Sequence, residues 1–315
     1  MKSKAKELRR RLAGLALAGT TTGDQFGEMF FGLPETVQQS IIRRELPPGP
    51  WRYTDDSNMA VSVCRNLIAF KGIREDELAR SFAAMFFSDP MRGYGRGAAE
   101  ILQAIFRGVS WKQASAAAFG GQGSKGNGGA MRAAPVGAYF WDDPARAAEH
   151  ARRSARVTHH HPDGQEGAAA VAIAASWAAR RHEDPSATGG LFDEVLSGLR
   201  SGALADGIRR AASLTADISP AEAARVLGSG QNILAEDTVP FVLWCVSRHP
   251  DDFEEALWTT VEGLGDRDTT CAMVGGIVSL SGDCEDIPAS WRARCESLPG
   301  NDASCAFGTS DGGEA

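Results

Sequence analysis

The sequence predicts an all-α protein, and three features of the chain lead to that prediction. Apolar residues recur at helical spacing through most of the 315 residues. The alternation of apolar and polar residues that marks half-buried strands is nearly absent. Hydrophobic residues make up 43% and charged residues 23% of the chain, which is the balance of a globular protein and not of a disordered one.

The first helix is predicted near the N-terminus, where the spacing of a core-facing helix is found at Leu8, Leu12, Leu15, Ala16 and Gly19. Basic residues at positions 2–11 give this segment a superficial likeness to a secretory signal. Its apolar part is thin and rich in alanine and glycine, so we interpret it as the first helix of a cytoplasmic protein. No apolar run in the sequence is long enough to span a membrane.

Eleven further helices are predicted at 57–70, 75–87, 97–106, 144–157, 167–181, 191–200, 206–214, 220–227, 239–248, 253–264 and 269–280. Helix-start signals support several of them, such as Ser219 before Pro220. No repeat of fixed period is present, which argues against a solenoid. We therefore predict one domain over residues 1–298, and a disordered tail, rich in Gly, Ser and Asp, over residues 299–315.

Charge and cysteine content narrow the class of partner. The net charge of −7 argues against a nucleic-acid-binding surface, so an anionic ligand would need local groups such as a glycine-rich loop or metal ions. The six cysteines have no C-x-x-C spacing, which favours neither a disulfide framework nor a zinc site and fits a reducing compartment. We expect a monomer without nucleic-acid or membrane partners.

Two acidic segments precede buried helices and share one layout, with two carboxylates and a threonine in each. They are Thr54-Asp55-Asp56 and Asp266-Arg267-Asp268-Thr269. Ordinary helix capping explains residues of these types. Adjacent carboxylates exceed what a cap needs, however, because they repel each other unless a cation lies between them. If the two helix starts converge, their oxygen atoms suit Mg²⁺ or Mn²⁺ and not zinc. Spacing alone leaves both interpretations open.

A glycine-rich segment at 121–132 contains the pattern G-x-G-x-x-G at Gly121, Gly123 and Gly126. Such glycines let backbone N–H groups approach a phosphate. A dinucleotide fold also needs a preceding strand, whereas residues 111–119 are alanine-rich and look helical. A flexible surface loop is the alternative.

Three consecutive histidines, His159, His160 and His161, follow the helix predicted at 144–157. Histidines at a helix C-terminus interact favourably with its dipole, so a structural role explains most of this segment. Adjacent side chains point in different directions, which argues against one metal shared by all three.

In their chain order, 54–56, 121–132, 159–161 and 266–269, these four motifs are also found in the ADP-ribosylglycohydrolase family, which the chain resembles from Gly23-Asp24 to about Trp291. The resemblance implies a compact orthogonal multi-helix bundle. It also implies a hydrolase that cleaves the bond between ADP-ribose and a modified protein side chain, so the partners are ADP-ribose and ADP-ribosylated proteins. A non-catalytic ADP-ribose-binding or structural protein on the same fold is one alternative. A nicotinamide-dependent oxidoreductase is another, which the missing strands disfavour.

The resemblance also implies roles for individual residues. Two Mg²⁺ or Mn²⁺ ions would be bound by Thr54, Asp55, Asp56, Asp266, Asp268 and Thr269. Asp55, Asp56 and Asp268 would also act in catalysis. ADP-ribose would be contacted by Gly123, Ser124, Gly126, Asn127, Gly128, Gly129, Met131 and His159.

One departure concerns a carboxylate near the metals. Phe31 stands where many relatives have a glutamate. If the first helix continues, Asp24, Glu28 and Phe31 share one face, and Glu28 could reach the site as a catalytic residue from one turn earlier. A solvated surface position for Glu28 is equally compatible with the sequence.

Two motifs point to different acceptor side chains, that is, different protein side chains from which ADP-ribose would be removed. Residues 158–162 resemble the arginine-specific members, whereas the glycine-rich loop resembles the serine-specific ones. The missing glutamate at Phe31 leads us to favour arginine.

Overall fold

The computed structural model describes residues 2–32, 34–184 and 189–298, and these residues form an all-helical structure. Within them there are sixteen α-helices and three short 3₁₀ turns, and no strand. Isolated β-bridges join Trp51 to Cys295 and Gly126 to Leu234. The all-α prediction is confirmed, while the tail predicted at 299–315 lies outside the described residues.

The helices are numbered in chain order: α1 (Lys2–Glu28), α2 (Pro34–Ile42), α3 (Asp55–Phe70), α4 (Glu75–Ser88), α5 (Arg96–Phe106), α6 (Trp111–Gly121), α7 (Ala134–Tyr139), α8 (Pro144–Arg156), α9 (Pro162–Glu183), α10 (Leu191–Ser197), α11 (Ala203–Ser213), α12 (Pro220–Leu227), α13 (Ala235–Arg248), α14 (Phe253–Glu262), α15 (Arg267–Val278) and α16 (Ala289–Arg292). Every helix predicted from periodicity is present. The short helices α2, α7 and α16 were not predicted. All six residues of α7 are buried, so α7 has no polar face to create a period.

Helices α1 and α15 run antiparallel in direct backbone contact, and we call this contact the glycine seam. Gly19, Gly23 and Gly27 lie one turn apart on α1, and a Cβ on any of them would approach a backbone carbonyl oxygen of α15 to under 3.0 Å. These carbonyls belong to Gly275, Cys271 and Arg267. Because glycine has no Cβ, the two backbones can meet at this distance, and Asp24 is thereby placed beside the start of α15.

An aromatic cluster fixes the end of α1 near the seam. Phe26 stacks on Trp291 with ring centroids 4.3 Å apart, and its edges meet Trp51 and Trp258 at 5.8 and 5.0 Å. All four rings are buried. Residues 291–298 therefore pack against the same end of the molecule as the starts of α3 and α15.

Helix α9 crosses the interior and is buried along most of its length. Its residues 168–175 are 0–2% exposed, and seven of these eight are Ala or Val. Gly137 of α7 lies so close that a Cβ there would meet the Ala172 carbonyl at under 3.0 Å. None of the described helices is both long and apolar enough to cross a membrane.

Replacing Gly23 with Ala tests the glycine seam. Alanine alone would favour the helix by about 1 kcal/mol, yet we expect the free energy of unfolding to fall by about 1–3 kcal/mol or more, because the new Cβ meets the rigid backbone of Cys271. Denaturant unfolding measures the change. Gly189→Ala is the control, since its Cβ would have only Glu194 Cγ nearby, at 4.0 Å. A wild-type stability for Gly23→Ala would contradict the seam.

Candidate active site and metal centre

Asp24, a buried residue of α1, caps the start of α3 from outside that helix. Its carboxylate accepts hydrogen bonds from the backbone N–H groups of Thr54 (2.9 Å) and Ser57 (3.1 Å). The hydroxyls of the same two residues also donate to it, that of Thr54 at 2.8 Å. The first amides of a helix lack intrahelical acceptors, so this side chain satisfies two of them. The contact fixes the start of α3 against α1.

Five acidic residues meet where α1, α3 and α15 converge, and we call them the carboxylate cluster. They are Asp24, Asp55, Asp56, Asp266 and Asp268. Ligand oxygens of Asp24, Asp56 and Asp268 all lie within 4.8 Å of one another. The hydroxyls of Thr54 and Thr269 lie 3.1 and 3.4 Å from Asp56 Oδ2. The two acidic helix starts therefore converge, as the metal interpretation of the sequence requires.

Two oxygens of the cluster lack any partner. Oδ1 of Asp56 and Oδ1 of Asp268 are buried and accept no hydrogen bond from any described residue. An unpaired buried acceptor costs about 1–3 kcal/mol, and more when it is charged. Carboxylate and hydroxyl oxygens are the ligands that Mg²⁺ and Mn²⁺ prefer. These residues thus fit a hard divalent cation, which would satisfy both oxygens.

Burial and mutual repulsion raise the pKa values of four carboxyl groups of the cluster, those of Asp24, Asp55, Asp56 and Asp268. Burial, and then the charge of Asp24, raise the pKa of Asp55 from 3.8 to about 7. Burial also raises the pKa of Asp24 to about 6, although its four hydrogen bonds oppose the shift. The pKa values of Asp56 and Asp268 are raised well above 3.8 by burial and by neighbouring carboxylates. Without a cation the cluster therefore retains protons near neutral pH.

Asp266 links the carboxylate cluster to the glycine-rich loop. Its Oδ2 accepts a hydrogen bond of 2.7 Å from Asn127 Nδ2, and its backbone N–H donates to the Ser229 carbonyl at 3.0 Å. Asp55 is fixed from the other side, because its backbone N–H donates to the Arg92 carbonyl at 2.6 Å. Arg92 in turn forms a two-bond ion pair with Glu296, at 2.7 and 2.9 Å.

A cleft of about 560 Å³ opens over the carboxylate cluster. One wall is formed by Asp55, Asp56, Asp266, Asp268 and Thr269. Another consists of Gly123, Ser124, Gly126, Asn127, Gly128, Met131 and His159. All of these were predicted from the sequence as metal or substrate residues. Three predicted residues do not line the cleft. Thr54 is buried and bonded to Asp56, Gly129 is buried against α8, and the predicted catalytic residue Glu28 is also absent from the lining.

The glycines of the loop have two different surroundings. Gly123 has φ +76°, and a Cβ there would meet His160 and His161 at 2.7 Å. A Cβ on Gly129 would meet Ala155 at 2.9 Å, so both glycines allow close packing. Gly126 and Gly128 instead adjoin the His159 imidazole, which a Cβ on either would approach to 3.2 Å. The loop thus packs against residues 155–161.

The three histidines have separate surroundings, as predicted. His159 is buried and lines the cleft, whereas His160 is exposed and borders a different surface depression. His161 Nδ1 accepts from the Asp163 backbone N–H at 3.1 Å and so caps α9. Burial, with a smaller effect of Arg132, lowers the pKa of His159 from 6.5 to about 3, so its ring is neutral at physiological pH.

The prediction that Asp24, Glu28 and Phe31 share one helical face is wrong for Phe31. Helix α1 ends at Glu28, so Phe31 lies beyond it, 45% exposed, with the Arg267 guanidinium 4.6 Å from its ring. Glu28 itself is half-buried. Burial and then the charge of Asp24 raise the pKa of Glu28 above its usual 4.5, which indicates a position near the cluster and not a fully solvated one.

Sequence reasoning assigned no site role to Asp24 or Arg132. Asp24 was noticed only as part of a motif, although a carboxylate between two glycines of a buried helix face was a usable signal. Arg132 is 0% exposed and lines the cleft, and it forms no ion pair with a described residue. Its position follows from tertiary packing, because nothing in the local sequence distinguishes it from a surface arginine.

Comparisons with known proteins agree over nearly the whole chain. A sequence profile for ADP-ribosylglycohydrolase matches residues 4–306. The chain is 28% identical to ADP-ribosylhydrolase ARH3 of Homo sapiens, with 89% of this chain and 88% of that protein covered. It is 24% identical to ADP-ribosyl-(dinitrogen reductase) glycohydrolase of Rhodospirillum rubrum, with 89% of each covered. A solved structure titled ADP-ribosylglycohydrolase-related protein complex has a TM-score of 0.57 and 25% identity, and covers 93% of this chain and 94% of that one.

The cluster predicts a cation effect on stability that depends on pH. The raised pKa values of Asp24 and Asp55 mean that the metal-free folded protein keeps protons which the unfolded chain releases near pH 4. The stability that these two protonated carboxyl groups give the folded state is fully present below about pH 4 and is lost as the pH rises through about 7. A cation replaces those protons, so we expect Mg²⁺ to raise the Tm more at about pH 8 than at about pH 5.5.

The matched variants are Asp268→Asn and the exposed Asp206→Asn. Asp268→Asn should abolish the Mg²⁺-dependent rise in Tm without lowering the metal-free Tm at pH 8, since it removes a repelling charge. Asp206→Asn should retain the full rise. An equal rise at both pH values, or in Asp268→Asn, would rule out a cation at this cluster.

Proposed function

Because the chain belongs to the ADP-ribosylglycohydrolase family, we propose that it hydrolyses the glycosidic bond between ADP-ribose and a modified protein side chain. The observation that carries the proposal is the pair of unpartnered carboxylate oxygens, on Asp56 and Asp268, beside a glycine-lined cleft. The volume of the cleft, about 560 Å³, lies within the range of small-molecule sites.

Two Mg²⁺ or Mn²⁺ ions are the proposed cofactors, with ligands from Thr54, Asp55, Asp56, Asp266, Asp268 and Thr269. When bound, they would supply Lewis-acid polarisation of the ribose hydroxyls and of water. Asp24 would hold Thr54 in place through the bonds described above. Asp55, Asp56 and Asp268 would stabilise positive charge developing on the ribose, and one of them or Glu28 would accept the proton of the attacking water.

The lining of the cleft also includes exposed apolar side chains. Phe119 and Ile233 are 63% and 61% exposed, with left-handed φ angles of +54° and +57°. Such angles are unfavourable for these residues and tend to persist at functional sites. Apolar side chains suit a nucleobase, and the glycine-rich loop suits a diphosphate. Together with the carboxylate cluster, these groups match the chemistry of ADP-ribose.

Arginine is the proposed acceptor side chain. The five carboxylates and Glu28 together carry more negative charge than two dications alone can neutralise. A cationic guanidinium leaving group is favoured by that surplus, whereas a serine hydroxyl gains nothing from it. We further propose a cytoplasmic monomer, and the net charge of −7 supports partners other than nucleic acid.

Release of ADP-ribose from defined peptides tests the activity and the acceptor. We expect faster release from arginine-linked than from serine-linked or acidic-residue-linked ADP-ribose, with Mg²⁺ or Mn²⁺ present and none with EDTA. Asp55→Ala should lower the rate by at least about 10²-fold while keeping the helical circular-dichroism spectrum. The control Asp206→Asn should keep both the wild-type rate and the spectrum. Binding without release would indicate a non-catalytic ADP-ribose-binding protein, and faster serine release would overturn only the acceptor.

Glu28→Gln tests the residue whose role is least fixed by the sequence. If Glu28 accepts the proton, kcat should fall by about 10²–10⁴-fold while the Kd for ADP-ribose changes little, because the substitution keeps size and packing. The exposed Glu35→Gln is the control. Wild-type turnover of Glu28→Gln would assign proton transfer to Asp55, Asp56 or Asp268.

A further inference from the structure

The two ring nitrogens of His159 have different surroundings. Nδ1 lies 2.8 Å from the hydroxyl oxygen of Thr158, which is a hydrogen-bonding distance. Nε2 lies beside Gly126 and Gly128 on the cleft side, and no described residue accepts a hydrogen bond from it. A neutral imidazole carries its proton on only one of the two nitrogens. Whether Nε2 is a donor or an acceptor toward the cleft therefore depends on whether the Thr158 hydroxyl donates to Nδ1 or accepts from it.

Arg132 decides the role of the Thr158 hydroxyl. Its guanidinium is 0% exposed and donates to the Gly128 carbonyl at 2.7 Å, the Thr158 hydroxyl oxygen at 2.9 Å and the Ser154 carbonyl at 3.1 Å. Burial lowers its pKa only to about 9, so it stays a cation at neutral pH. A guanidinium has donors and no acceptor, so Thr158 Oγ1 must accept from Arg132.

The single hydroxyl proton of Thr158 then has two possible acceptors. One is His159 Nδ1 at 2.8 Å, and the other is the Ala155 carbonyl at 3.5 Å. The second distance exceeds the usual range for O–H···O bonds, whereas the first lies within it. The Thr158 hydroxyl therefore donates its hydrogen bond to Nδ1, which must be the unprotonated nitrogen.

From this geometry we propose that Arg132 and Thr158 are positioning residues that hold His159 as a neutral ring with its Nε2–H directed into the cleft. His159 thereby donates a hydrogen bond to an acceptor oxygen of the bound ADP-ribose, a phosphoryl or ribose oxygen. The inference rests on the proposed function for the identity of the ligand. The two hydrogen bonds from Arg132 to Thr158 and from Thr158 to His159, which we call the relay, are independent of that identity.

The same arginine couples the donor to the glycine-rich loop. Arg132 fixes the Gly128 carbonyl and the Thr158 hydroxyl at once, so the loop and the His159 ring are held by one side chain. Its positive charge lies on the Nδ1 side of the ring, where it opposes formation of an imidazolium. The donor is therefore fixed before the ligand arrives, and no reorientation of the ring is needed on binding.

The tautomer itself is the first measurement. Long-range ¹⁵N–¹H spectra of the full chain, labelled with ¹⁵N-histidine, should show His159 protonated at Nε2 and unprotonated at Nδ1 at about neutral pH. Thr158→Val keeps the shape but removes the hydroxyl, so both tautomers should appear. Thr158→Ser should restore the single tautomer. The control is Thr260→Val, because Thr260 is also buried but donates to the Ala256 carbonyl on α14, away from the cleft. Protonation at Nδ1 in the wild-type protein would overturn the proposal.

Binding of ADP-ribose in the presence of Mg²⁺ is the second measurement. Thr158→Val should weaken the Kd about 3–10-fold, the loss expected for one net hydrogen bond, and Thr158→Ser should restore it to within about twofold. In a His159→Ala background, Thr158→Val should have no further effect, because its influence passes through the imidazole. An equal weakening in both backgrounds would show that Thr158 acts independently of His159, through the fold or through its own place on the cleft wall, and would overturn the relay.

These measurements separate the inference from the proposed function. If wild-type protein with Mg²⁺ does not bind ADP-ribose, the proposed function fails, while the spectra still report the tautomer. If ADP-ribose binds and is released but Nδ1 carries the proton, the function stands and the relay fails. Variants of Arg132 are not required, so loss of folding on removing a buried cation cannot obscure either result.

Discussion

The backbone contact between α1 and α15 is the constraint on which the rest of the site depends. With side chains larger than hydrogen at Gly19, Gly23 and Gly27, the two helices would stand further apart. Asp24 would then lie too far from the start of α15 to share a cluster with Asp268. Because the same carboxylate also caps α3, a shift of α1 would move Thr54 and Asp56 as well. A packing property of three glycines thus sets the separation of the acidic residues.

Two fixed positive features make the cluster tolerable in a protein interior. The N-terminal ends of α3 and α15 both point into it, and the positive end of a helix dipole favours nearby carboxylates. The buried Arg132 adds a full positive charge, which lowers the pKa of Asp55 against the larger effect of burial. These features offset only part of the repulsion, since the pKa values remain raised. The remaining negative charge would favour binding of a cation.

Local sequence indicated those candidate residues whose chemistry is local. Thr54-Asp55-Asp56 and the 266–269 segment stood out because the acids and the helix starts are contiguous, and the glycine-rich loop because its residues are adjacent. Spacing alone also allowed helix capping and a surface loop, so their roles came from the family resemblance. Asp24 received no role from the pattern of its neighbours, since its hydrogen-bond partner Thr54 lies thirty positions away in the sequence. Phe31 was wrongly predicted to lie on the helix, because the spacing of apolar residues does not show that α1 ends at Glu28. Gly129 shares its motif with Gly128, yet a Cβ there would meet Ala155 of α8, a contact that no local pattern contains.

The glycine seam also bears on how the chain reaches its folded state. It pairs residues 19–27 with residues 267–275, so a segment near the beginning of this sequence must find one near its other end. Contacts of such long sequence separation carry a high loop-closure entropy and slow folding. A growing polypeptide could form the local pairs α4–α5 and α8–α9 early, but the carboxylate cluster would stay incomplete until α15 had been synthesised. If the cluster binds a metal as proposed, metal capture would be among the last events of folding and would report that the glycine seam had closed.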